Sequence, residues 1–228
     1  MLRKAVPQAT RGETVATLME AYLDLGQPDR ANEVINLAPF KARAGVELLV
    51  ARARLSAERG RPSAAEGFAQ EALARLRGPR ASRALKAEVY TVLGRAQYDQ
   101  KTWKASLRSN KMATDLDPRS ARAWYQLGLS AEALKQLPLA KQALETSVKN
   151  DAMGPGQQER GGEAWYHLGK VRTALGDPSA NEAYQKYLEV TPKGPLADEV
   201  RQILKGGPPP APPAKPTSSP PRNRRRGR

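Results

Sequence analysis

Apolar residues recur at three- and four-residue spacing along the chain, as in Val15, Leu18, Met19 and Tyr22 and again in Trp124, Leu127 and Ala131. That period belongs to a helix with one buried face. Such stretches end in short polar or glycine turns: Leu25-Gly26-Gln27-Pro28-Asp29, Arg59-Gly60-Arg61-Pro62-Ser63 and Leu175-Gly176-Asp177-Pro178-Ser179. Gly just past one helix and Pro at the start of the next is the expected asymmetry of a helical hairpin. A second apolar stretch then follows, through Ala31, Ile35 and Ala38, or Ala65 and Ala72, or Ala140 and Leu144. The pattern predicts helix pairs in units that begin near Gly12, Val46, Ala87, Ala121 and Gly162, at offsets of 34, 41, 34 and 41 residues. The extra residues fall at Leu76–Lys86 and Asn150–Gly161, between units, where an insertion leaves each pair intact.

Small residues form two columns across these units. Met19, Ala53, Gly94, Gly128 and Gly169 align on first helices, and Ala31, Ala65, Ser106, Ala140 and Ala180 on second helices. Small side chains let the paired helices approach closely, while Trp, Tyr and Leu fill the space between units. The expected interior is one continuous apolar spine. A Leu at Gly128 is expected to overpack the crossing, at a cost of roughly 1–3 kcal/mol.

Three units carry a fuller motif. Tyr90-x-x-Leu93-Gly94 is followed by Asp117-Pro118, Trp124-x-x-Leu127-Gly128 by Ala140-x-x-x-Leu144, and Trp165-x-x-Leu168-Gly169 by Ala180-x-x-x-Tyr184 and Thr191-Pro192. This resembles the tetratricopeptide repeat (TPR). The first two units depart from it, with Val15 and Leu49 where the later ones have Trp124 and Trp165. The resemblance spans 12–204 and implies an all-α, TPR-like α-solenoid of about five helix-turn-helix units. Leu196, Val200, Ile203 and Leu204 then form the apolar stripe of a C-terminal capping helix beginning near Pro195. The chain divides into an N-terminal segment 1–11, the solenoid with its cap at 12–204, and a tail at 205–228.

What the resemblance implies for function is a groove lined by first helices that holds an extended peptide or a partner helix. By helical phase, that face carries Glu20, Arg54, Arg95, Tyr98, Tyr125, Leu129, Tyr166 and Lys170. The tyrosines would supply contact area, and Arg54, Arg95 and Lys170 would select an acidic or mixed protein segment. The columns where some TPR domains carry a Lys–Asn carboxylate clamp hold Ala16, Val50, Thr91, Tyr125 and Tyr166, which disfavours that mode. The expectation is a non-enzymatic adaptor or scaffold.

Composition narrows the chemistry. With no Cys and one His in 228 residues, thiolate nucleophiles, Cys-based metal sites and paired-imidazole sites are excluded. No phosphate loop, nucleophile elbow or zincin motif is present, and His167 reads as an ordinary histidine on a repeat helix; no catalytic residue, metal or cofactor is expected. No secretory leader pattern follows the basic N-terminus, so the expected location is cytoplasmic, or periplasmic if the start is truncated.

The net charge of +15 is concentrated in two places. Residues 41–86 hold eleven basic and four acidic residues. The tail holds seven basic and no acidic side chains, including Arg222, Arg224, Arg225, Arg226 and Arg228. Eight prolines make it a disordered segment by composition. A second reading is therefore a protein associated with nucleic acid or anionic lipid through the tail and the 41–86 belt. A third is a cell-envelope (pilus or secretion) assembly factor, whose lipoprotein members carry an acylated Cys that this sequence lacks.

Overall fold

A computed structural model describes residues 12–37, 45–78, 82–151 and 158–206. The segment 1–11, Ala38 and the five tail arginines lie outside the described residues. Among the described residues there are eleven helices and no strand. They pair as α1 (Gly12–Asp24) with α2 (Pro28–Leu37), α3 (Val46–Glu58) with α4 (Pro62–Arg75), and α5 (Arg83–Asp99) with α6 (Trp103–Leu116). Then come α7 (Ala121–Ala133) with α8 (Leu137–Asp151), α9 (Gln158–Ala174) with α10 (Ala180–Val190), and the cap α11 (Ala197–Leu204). Each first helix packs on its own second helix and on the first helix of the next unit, and α11 closes on α10.

One turn design links the two helices of all five pairs. Gly26, Gly60 and Gly176 adopt positive φ, and so do Lys101 and Lys135 at φ 62 and 59. In each turn the amide one residue later reaches back to the last turn of the first helix, as in Gln27 N to Tyr22 O (2.8 Å) and Thr102 N to Gln97 O (2.9 Å). This is the Schellman arrangement, which satisfies the last carbonyls of the first helix. Two units therefore place lysine where glycine fits without steric cost.

The small columns act as expected at their tightest points. A Cβ built on Gly128 would lie 2.7 Å from Leu144 Cγ, and one on Gly169 would lie 2.7 Å from Tyr184 Cε1. A Cβ on Gly94 would collide with the Asn110 side chain. The helices of units three to five thus touch through glycine.

The long offsets are used to lengthen helices. α5 and α9 have 17 residues each, whereas α1, α3 and α7 have 13. Units three and five accordingly begin about one turn earlier than their motifs suggest. The added turn of α5 is capped by Ser82, whose side chain accepts from Leu85 N. It also brings Arg83 to the end of α6, where its guanidinium donates to Asp115 O at 2.9 Å and Leu116 O at 3.0 Å.

The expected continuous apolar spine is interrupted. One apolar cluster joins α3, α4 and α5 through Leu49, Ala69, Val89 and Leu93; another joins α7, α8 and α9 through Ala131, Leu144, Leu168 and Val171. Between them lie Ser106, Asn110 and Ser130, each fully buried. Ser106 Oγ donates to Gly94 O at 2.7 Å and sits 2.7 Å from Ser130 Oγ, while Asn110 Nδ2 donates to both hydroxyls. The cause is local. Ser106 occupies the small-residue column, and the void beside Gly94 is filled by Asn110 instead of an apolar side chain.

Candidate functional site

The first helices carry a ladder of ion pairs between units. Arg54 on α3 pairs with Glu20 and, at 2.9 Å, with Asp24 on α1. Arg95 on α5 pairs with Glu58 on α3 at 2.6 Å. The register follows from the repeat. Arg54 and Arg95 each follow their unit's small-column residue directly, and Asp24 and Glu58 stand five positions after it in the preceding unit. The next rung has its carboxylate, Asp99, but its arginine position is occupied by Leu129. Asp99 is left 4.0 Å from Arg95 on its own helix, and pairs with no cation of the next unit among the described residues.

At that missing rung the first-helix face opens into a cavity of about 360 Å³ between α5, α7 and α9. Tyr98, Tyr125 and Leu129 form its apolar wall. Glu58, Asp99, Asp151 and Glu163 bring carboxylates, against Arg95 and Arg122 as cations. Glu58 is consumed by Arg95, and Glu163 accepts from Tyr125 Oη at 3.0 Å. Asp151 forms no ion pair among the described residues and sits at the C-terminal residue of α8, where the helix dipole already concentrates negative charge. Burial pushes the carboxyls of both Asp99 and Asp151 up. Burial also raises the Tyr125 phenol, and the Glu163 carboxylate beside it raises it further, so this hydroxyl stays a donor. Gln126, only 7% exposed, lines the same cavity with a buried Oε1 that has no hydrogen-bond partner among the described residues.

Deeper along the row, Glu132 of α7 ties two units together. It accepts from His167 Nδ1 at 2.7 Å and from Lys170 Nζ at 2.9 Å. Facing a carboxylate, Nδ1 carries the proton. Burial alone would raise the Glu132 pKa, but the bonds from His167 and Lys170 outweigh it and hold the carboxyl at about 2. The His167 ring also packs edge-on against Tyr125 and Tyr166. It is a structural linker between α7 and α9.

The residues expected on the groove are thus divided. Arg95, Tyr98, Tyr125 and Leu129 come together on the cavity. Glu20 and Arg54 pair with each other across the first two units, outside the cavity lining, Arg54 being only 5% exposed. Lys170 is held by Glu132. Tyr166 is 8% exposed because α11 folds over it: it packs with Tyr184, Tyr187, Ala197 and Val200 and donates to Glu199 at 2.7 Å. All three cations expected to select an acidic partner are therefore engaged by carboxylates of this chain. The described arginines of the 41–86 belt are likewise spread over separate partners. Arg52 lies over the Phe68 ring, Arg59 pairs with Asp29, and Arg75 pairs with Glu71.

Asp99, Gln126, Asp151 and Glu163 were not singled out by helical phase. Asp24, Glu58 and Asp99 share a column, and aligning it against Arg54, Arg95 and Leu129 would have marked the missing rung. Gln126 and Asp151 carry no comparable signal. Among the described residues no cluster of metal-ligating side chains occurs, and no helix is long and apolar enough to cross a membrane.

Residues 121–152, covering α7 and α8, match the family model of the tetratricopeptide repeat. No curated protein matches the chain. Several solved structures share its fold. PilF of Pseudomonas aeruginosa is 18% identical with a TM-score of 0.64, over 90% of this chain and 86% of that one. TTC0263, a TPR protein of Thermus thermophilus, is 21% identical with a TM-score of 0.59, over 86% and 97%. YrrB, described as a TPR protein with an unusual peptide-binding site, is 16% identical with a TM-score of 0.54, over 88% and 97%.

Proposed function

We propose that this chain, a tetratricopeptide-repeat solenoid in fold, serves as a non-enzymatic scaffold that takes a segment of a partner protein on its row of first helices. The observation that carries this reading is the cavity at Tyr98, Tyr125 and Leu129, a recess with an apolar wall and unmatched polar groups on an otherwise interlocked face. Binding sites are typically concave, mostly apolar and furnished with a few convergent polar groups. The likeness to YrrB, itself described by a peptide-binding site, supports the same use of the fold. The flanking helices are held by Schellman turns and inter-unit ion pairs, so the surface is pre-formed and loses little conformational entropy on binding.

The partner's charge follows from the cavity. Arg95 and Lys170 are already engaged, whereas Asp99 and Asp151 pair with no inter-unit cation among the described residues. A segment offering hydrogen-bond donors and positive charge fits better than an acidic one.

The test is site-specific photo-crosslinking in cells. A crosslinker replacing Tyr98 should trap a defined partner segment, and one replacing Trp103 at the start of α6 should not. Tyr98→Ala with Tyr125→Ala should abolish capture of that partner. Equal trapping from both positions, or capture indifferent to the tyrosines, would overturn the groove reading.

A further inference from the structure

The cavity and the C-terminal tail have opposite chemistries within one chain. The tail from 207 onward has no acidic side chain and places five arginines in its last seven residues. The cavity has an unfilled arginine position in a ladder otherwise built from arginine and carboxylate. It also has Asp151 without an ion pair among the described residues, and the buried Gln126 Oε1 without a donor. A guanidinium offers five N–H donors in a planar fork, and matches clustered carboxylate and amide oxygens better than a lysine ammonium does. We propose that one of Arg222, Arg224, Arg225, Arg226 or Arg228 docks into this cavity in cis, completing the missing rung at Asp99, so that the free protein occupies its own binding site.

The reach is sufficient. Ala197 and Val200 of α11 pack with Tyr166 of α9, and Glu163 and Ala164, about one turn earlier on α9, line the cavity. With helix axes ~8–10 Å apart, the end of the described chain at Gly206 is roughly 20–30 Å from the cavity. Arg222 lies sixteen positions beyond Gly206. An extended chain of that length spans up to about 50 Å. Tethering sets an effective concentration in the millimolar range, so even a weak contact is occupied. Arg122 on the rim opposes the incoming charge. The carboxylates of Asp99, Asp151 and Glu163 outnumber it. Any basic partner segment must then displace the tail. This inference rests on the proposal that the first-helix face is a binding surface, and adds its resident occupant.

The experiment uses the full chain and a fluorescein-labelled synthetic peptide of residues 214–228, followed by fluorescence anisotropy at low and high salt. The proteins are the wild type and a full-length variant carrying Arg222→Gln, Arg224→Gln, Arg225→Gln, Arg226→Gln and Arg228→Gln. The substituted protein, its cavity vacated, should bind the peptide at least tenfold more tightly than the wild type. Adding Asp99→Asn and Asp151→Asn to it should weaken peptide binding at least tenfold, and adding Glu71→Gln on α4 should leave it unchanged. Leu129→Arg, which supplies the missing rung internally, should also block the peptide while the helical circular dichroism is retained. Equal binding by wild type and substituted protein, no binding to either, or equal weakening by Glu71→Gln would overturn the proposal. So would tail-dependent self-association of the wild type in sedimentation velocity, because the tail would then dock in a second copy. Loss of the peptide effect with crosslinking at Tyr98 intact removes this inference alone. The reverse result removes the partner-groove reading alone.

Discussion

The contact between Gly128 and Leu144 allows a quantitative test of how the repeats are spaced. Leu144 is fully buried, and a Cβ on Gly128 would meet its Cγ at 2.7 Å and its Cδ2 at 2.8 Å. Gly128→Ala gains ~1 kcal/mol of helix propensity but must push Leu144 away. Forcing an extra carbon into a packed site costs roughly 1–3 kcal/mol, so the net loss should be about 1 kcal/mol. Leu144→Ala alone should cost about 2–5 kcal/mol, as truncation of a buried leucine does. In that background the alanine at 128 meets no obstacle, and Gly128→Ala should stabilise by ~1 kcal/mol. The double-mutant cycle should thus show a coupling of about 2 kcal/mol, with the sign of the glycine substitution reversed. Urea unfolding of the four proteins, followed by circular dichroism in the far ultraviolet with a shared m-value, measures it. If Gly128→Ala destabilises equally in both backgrounds, close approach at this crossing is not what glycine provides.

Lys101→Gly and Lys135→Gly should each stabilise by about 0.5–1 kcal/mol in thermal or urea unfolding, because both lysines hold positive φ in turns where Gly26, Gly60 and Gly176 serve elsewhere. The Glu132 carboxyl is lowered from 4.5 to about 2 in the folded state, so its stabilisation is complete above pH ~4.5 and lost as pH falls towards 2. At 19% exposure this is up to about 3 kcal/mol, and Glu132→Gln should flatten the acid limb of the stability profile over that window. The Tyr125 phenol is raised by burial and by Glu163, so Tyr125→Phe should leave the ordinary phenol transitions of an ultraviolet tyrosine titration unchanged and remove one group from those that titrate above them.

Much of the fold was legible because it rests on spacing. The columns ending in Gly94, Gly128 and Gly169 located close helix crossings, since only the absence of a side chain permits them. The stripe of Leu196 and Val200 located the cap, although α11 starts two residues after Pro195. The candidate site was less legible. Helical phase puts Tyr166 on the first-helix face, but phase within one helix does not reveal that a later helix folds over that position and buries it. Arg54, Arg95 and Lys170 looked like partner-selecting cations because their neutralising carboxylates lie on other helices, a full repeat unit earlier in the chain. Ser106 passed as one more small residue, and its hydroxyl became visible as a core element only beside Ser130 and Asn110.

Those three side chains divide the array's cohesion. Apolar burial, which resists separation in any orientation, binds units two to three and four to five. At the middle junction Leu107 of α6 packs against the second cluster, and the rest of the contact depends on a few directional bonds, with Asn110 Oδ1 left unanswered. Water can replace such bonds, so stress on the protein should part it at this fault plane, releasing two half-arrays that melt as separate blocks. The cavity spans α5 and α7, one helix from each block. A ligand seated there would clasp the halves together, so that occupancy should be readable as a merging of two melting steps into one.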